Sequence, residues 1–75
     1  MKWKVRIAGY KNWKLVPLKP GSPINVLQGD EFEEDVIVEA RDRSEAEKLA
    51  MREFVRKGYF FDEIVWMEPM EGEEQ

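Results

Sequence analysis

The chain has 75 residues, no cysteine, no histidine and a formal net charge of −4. That length holds one domain whose single core only just suffices. The missing cysteine rules out a disulfide framework, a thiolate nucleophile and a thiolate zinc site, and the missing histidine removes the usual general base and the commonest metal ligand. Charge is unevenly placed. Lys2, Lys4, Arg6, Lys11, Lys14 and Lys19 give residues 1–28 a charge of +6 with no acid, which leaves −10 for residues 29–75. No apolar run is long enough to span a bilayer. Met1-Lys2-Trp3-Lys4 runs straight into an alternating pattern, unlike a signal peptide, so a soluble cytoplasmic protein is expected. Many Lys, Arg and Glu with no Cys or Thr suit a thermophile.

Trp3, Val5 and Ile7 alternate with Lys2, Lys4 and Arg6, which predicts a strand over 2–8. Gly9-Tyr10-Lys11-Asn12 reads as a turn or bulge. Trp13 to Leu18 reads as a weak second strand that Pro17 confines to an edge. Lys19 to Gln28, with Pro20-Gly21-Ser22-Pro23, reads as a loop that Ile24, Val26 and Leu27 hold down on the body. Asp35-Val36-Ile37-Val38-Glu39-Ala40 alternates as a half-buried strand, with Val36, Val38 and Ala40 on one face. Ser44 and Glu47 have the spacing of a capping box for a helix over about 44–57. Ala46, Leu49, Ala50, Met51 and Phe54 form its apolar stripe, and Gly58 ends it. Ile64-Val65-Trp66-Met67 forms the last strand, closed by Pro69. Residues 1–69 then form one domain, followed by an acidic, frayed tail over 70–75.

This order, β-β-β-α-β, predicts a two-layer α+β fold: a small mixed sheet of three to four strands covered on one face by a single helix. The strands flanking the helix should run parallel, with the first strand between them and antiparallel to both.

Three surfaces deserve weighing. The basic, aromatic N-terminal segment, with Lys2, Lys4, Arg6, Lys11, Lys14 and Trp13, has the composition of a single-stranded nucleic-acid or RNA site. Pairing of Lys2, Lys4 and Arg6 with Asp35 and Glu39 on the neighbouring strand would neutralise it instead. The run Asp30-Glu31-Phe32-Glu33-Glu34-Asp35 matches no EF-hand spacing and reads as a solvated acidic edge, so neither a metal nor a cofactor is expected. The rings of Tyr59, Phe60, Phe61 and Trp66, beside Trp3 and Trp13, exceed what one short helix covers. Ile37, Val65 and Met67 fall on the sheet face away from the helix. That face either meets a partner, through Trp3, Tyr10, Trp13, Ile37, Tyr59, Phe60, Val65 and Met67, or is closed by the 24–27 segment as a second core. Nothing builds a nucleophile–base pair, so a catalytic role is not expected.

The pattern Val36-Ile37-Val38-Glu39-Ala40 … Ser44-Glu45-Ala46-Glu47-Lys48-Leu49-Ala50, then an aromatic stretch and a closing strand, resembles the small DpnD/PcfM-type proteins of phages and mobile elements. The resemblance covers residues 34–67 and rests on fold-making residues. It implies an accessory protein of phage or plasmid type, in the host cytoplasm, and no particular chemistry. The outline is also similar to archaeal ribosomal protein LX. The basic stretch which that family carries after its helix is here Tyr59-Phe60-Phe61-Asp62-Glu63. The expected function is a non-enzymatic protein–protein interaction module that binds another protein or a second copy of itself, with nucleic-acid binding as the alternative.

Overall fold

Two strand-forming segments joined by a proline- and glycine-rich turn fold into one long hairpin, and a capped amphipathic helix carries the chain to a third strand. The computed structural model describes residues 1–70, with β1 (Lys2–Pro17), β2 (Asn25–Glu39), α1 (Arg43–Arg56) and β3 (Phe60–Pro69). The sheet order is β2-β1-β3, and β1 is antiparallel to both neighbours. β2 and β3 therefore run parallel on either side of it. The helix covers one face, giving a small two-layer α+β domain.

The core lies between α1 and the inward positions of the sheet. Trp3, Val5 and Ile7 of β1, Val36 and Val38 of β2, and Met67 of β3 are buried with Ala40, Ala46, Ala50 and Phe54. Small residues at 46 and 50 bring the helix close to the sheet, and Phe54 fills the space at its end. Phe54 packs on Phe32, Tyr59 and Phe61, with ring centroids 5.6, 5.2 and 6.4 Å away. Gly9 is part of β1 and not a turn, and its missing side chain makes this packing possible. A Cβ there would stand 2.3 Å from the Phe60 carbonyl oxygen and 2.6 Å from the Phe54 ring.

Several expectations are corrected. The two predicted N-terminal strands are one strand of 16 residues, with the register shifting between Lys11 and Lys14. Asn12 takes the positive φ of that bulge, 53°. The 19–28 segment does not lie on the body: β2 already begins at Asn25 and pairs with the end of β1. The helix is capped by Asp42, whose side chain accepts from the Glu45 N–H at 2.8 Å, and not by Ser44. The Glu45 carboxylate accepts in turn from the Arg41 N–H at 2.7 Å. Met51, placed in the apolar stripe, is exposed. Gly58 ends the helix as expected, with φ of 93° and its N–H on the Val55 carbonyl.

The molecule measures 58 × 19 × 18 Å. A 14-residue helix is about 21 Å long, so α1 covers little more than a third of that length. No residue from 10 to 31 is buried. The distal parts of β1 and β2 leave the body as a two-stranded arm. Met70 is tied to the sheet by its N–H on the Lys2 carbonyl. The rest of the predicted tail lies outside the described residues.

Candidate interaction surfaces

The sheet face away from the helix is a charged lattice. Directly opposed residues share a face, so Lys2, Lys4, Arg6, Ala8 and Tyr10 of β1 stand between Glu31, Glu33, Asp35, Ile37 and Glu39 of β2 and Phe60, Glu63, Trp66 and Glu68 of β3. Arg6 donates from Nε to Glu33 at 2.7 Å and from Nη1 to Asp35 at 3.0 Å. The bonds to Glu33 and then Asp35 push its pKa further up. The charge of Glu31 raises the Tyr10 phenol, which also donates to it. The N-terminal ammonium pairs with Glu39.

The acidic run is shared out by strand alternation. Odd positions 31, 33 and 35 bond to Tyr10 and Arg6 on this face. On the other side Asp30 accepts from Asn12 and Glu34 accepts from Lys57, whose pKa that bond raises. Among the described residues no group of carboxylates has the geometry to hold a metal ion.

The basic–aromatic set is not one surface. Lys2, Lys4 and Arg6 lie within the acidic lattice, Lys11 sits over the Phe32 ring at 5.6 Å, and Lys14 is on the arm. The expected partner-binding residues also divide. Trp3 and Met67 are buried in the core, and Tyr59 packs against Phe32 and Phe54. Register shifts in the β1–β3 pairing turn Ile64 and Met67 inward and Trp66 outward, reversing the expected sides of Trp66 and Met67. Ile37, Val65 and Trp66 are exposed, and among the described residues no segment covers Ile37 to form a second core.

Tyr10, Trp13 and Phe60 come together at the root of the arm. Trp13 and Phe60 meet edge-on at 5.3 Å, and Tyr10 and Phe60 at 6.3 Å. The Trp13 Nε1 donates to the Gly58 carbonyl at 2.9 Å, fastening the arm to the end of the helix. Beyond that point Leu15, Leu18, Ile24 and Val26 are 57, 58, 58 and 37% exposed. Sequence reading missed this arm, although the +6 segment contains it. Residues 12–28 carry Lys14 and Lys19 and no acid.

An open groove of about 570 Å³ lies between the outer edge of β2 and α1. Asp35, Ile37 and Glu39 line one wall, and Leu49, Arg52, Glu53, Arg56 and Lys57 line the other. No protein family, curated protein or solved structure matches the chain. No helix among the described residues is long and apolar enough to cross a membrane.

Proposed function

We propose that this protein is a small non-enzymatic protein-binding module whose β1–β2 arm docks against a partner protein. The observation that carries this reading is the arm: a two-stranded ribbon with four exposed aliphatic side chains and no core of its own. Such a ribbon is marginal in water and gains stability when a surface covers it. Burying one large apolar side chain contributes roughly 1.5–3 kcal/mol. Four of them offset a substantial part of the entropy lost on association.

The side chains favour a protein over a nucleic acid. Single strands are held by stacking bases on aromatic rings, whereas the arm beyond its root presents aliphatic residues. Its one aromatic residue, Trp13, is engaged with Phe60 and Gly58. The bases of the sheet face are set among carboxylates. The resemblance of residues 34–67 to DpnD/PcfM-type proteins supports an accessory role of phage or plasmid type, and a second copy of the chain is one partner the arm fits.

Affinity capture from the protein's own cells tests this, with the parent beside the double variant Leu18→Lys, Ile24→Lys. The parent retains a protein that the variant loses, the two melt alike, and moderate salt leaves the complex intact. Equal capture by the variant, or capture of nucleic acid that falls steeply with salt, contradicts it.

A further inference from the structure

Among the described residues, the outer edge of β2 has main-chain groups with no strand to pair with. The Ala40 N–H donates to the Met1 carbonyl at 2.8 Å, which makes Met1 and Ala40 a hydrogen-bonded pair. Antiparallel ladders alternate, so Val38 and Val36 also turn their N–H and C=O groups toward β1. Asp35, Ile37 and Glu39 turn theirs outward. β2 is an edge of the sheet, so these groups open into the groove beside α1. An exposed edge of this kind is a template for a further strand.

We propose that this groove binds an extended segment of a partner protein, which adds to β2 as a fourth strand with side chains in the order basic–acidic–apolar–acidic–basic. The order follows from the two walls. A residue paired across from Ile37 shares its face and takes an apolar side chain. Those two places away lie across from Asp35 and Glu39 and take bases. The two between them point toward α1, where Leu49, Arg52 and Arg56 stand, and take acids. Asp35 accepts from Arg6, and Glu39 pairs with the N-terminus, but each carboxylate has further lone pairs to offer. Arg56 is held by Glu53, whereas Arg52 has no ion pair among the described residues.

A second copy paired about Asp35 is disfavoured. Two β2 edges paired antiparallel about Asp35 set that carboxylate against its own counterpart and Glu31 against Glu39, which like-charge repulsion opposes. Main-chain bonds to an added strand supply affinity, and the alternating pockets supply the choice of sequence. This groove is separate from the arm and its occupant does not depend on the arm's.

The test is a titration of the ¹⁵N-labelled full chain with the blocked peptide Ac-Thr-Thr-Lys-Glu-Val-Glu-Lys-Thr-Thr-NH₂, whose palindromic charge order suits either strand direction. The charge-inverted peptide Ac-Thr-Thr-Glu-Lys-Val-Lys-Glu-Thr-Thr-NH₂ is the control. The Asp35, Ile37 and Glu39 amides shift and exchange more slowly, and the inverted peptide binds about tenfold or more weakly. Arg52→Glu weakens the first peptide, and the arm variant Leu18→Lys leaves it unchanged. Equal affinity for both peptides, shifts confined to other residues, or no shift at millimolar peptide overturns the proposal. A loss of peptide binding in the arm variant alone places the ligand on the arm and overturns it as well.

Discussion

The Trp13 indole N–H reaches across 45 residues of sequence to the Gly58 carbonyl, joining the bulge of β1 to the left-handed residue that ends the helix. The body ends at this bond and the arm begins there. Trp13→Phe keeps a ring against Phe60 and removes the bond, a loss of about 1 kcal/mol. Its effect is local: amide exchange over residues 14–28 speeds up about fivefold while global stability changes little. Unchanged exchange in the arm would show that the bond does not fasten it.

The helix cap separates two overlapping motifs. Asp42-x-x-Glu45 and Ser44-x-x-Glu47 have the same spacing, and the first is used because the strand ends at Glu39 and α1 begins at Arg43. Asp42→Ala costs about 1 kcal/mol in chemical denaturation. Ser44→Ala, exposed in the first turn, stays within about 0.5 kcal/mol of the parent. The reverse order would return the cap to Ser44.

Phe54 is fully buried and packs over Gly9. Phe54→Ala costs about 3–5 kcal/mol. Gly9→Ala is also destabilising, because its new methyl overlaps the Phe60 carbonyl and the Phe54 ring. Combining the two in a double-mutant cycle reads this relationship. With the ring gone, Gly9→Ala costs less than it does in the parent.

The Arg41 N–H, donating to the Glu45 carboxylate, holds its pKa below the ordinary 4.5. A carboxyl with a depressed folded pKa adds stability above its unfolded value and loses it as pH falls through the folded one. Acid titration of stability therefore has a component that begins near pH 4.5 and is complete only below the lowered value. Glu45→Gln removes that component and leaves the neutral-pH helix shorter of one charge-assisted bond. An acid limb identical in parent and variant contradicts the assignment.

The body was legible because its signals are local. Clean alternation in 2–8 and 35–40 set the inward faces of β1 and β2, and helical spacing set Ala46, Ala50 and Phe54. With a crossover that makes the strands flanking the helix parallel, the order β2-β1-β3 followed. The arm was hidden because Trp13 to Leu18 does not alternate cleanly, and because Pro17, Pro20 and Pro23 read as loop. Pro17 is in fact accommodated. The Leu18 N–H bonds to the Ile24 carbonyl, so alternation aims position 17 at the unpaired edge, where no donor is required. In β3 the two register shifts move Trp66 and Met67 to opposite faces from those a strict period of two assigns. The break at Gly9-Tyr10-Lys11-Asn12 did mark the bulge beside Asn12, whereas nothing in Ile64-Val65-Trp66-Met67 marks the one in β3.

Hydrogen exchange of the full chain, free and with its captured partner, tests the arm most directly. Protection gained on binding is greatest over residues 14–28, around Leu15, Leu18, Ile24 and Val26. Protection gained only over the body, with the arm amides exchanging as in the free protein, would contradict it.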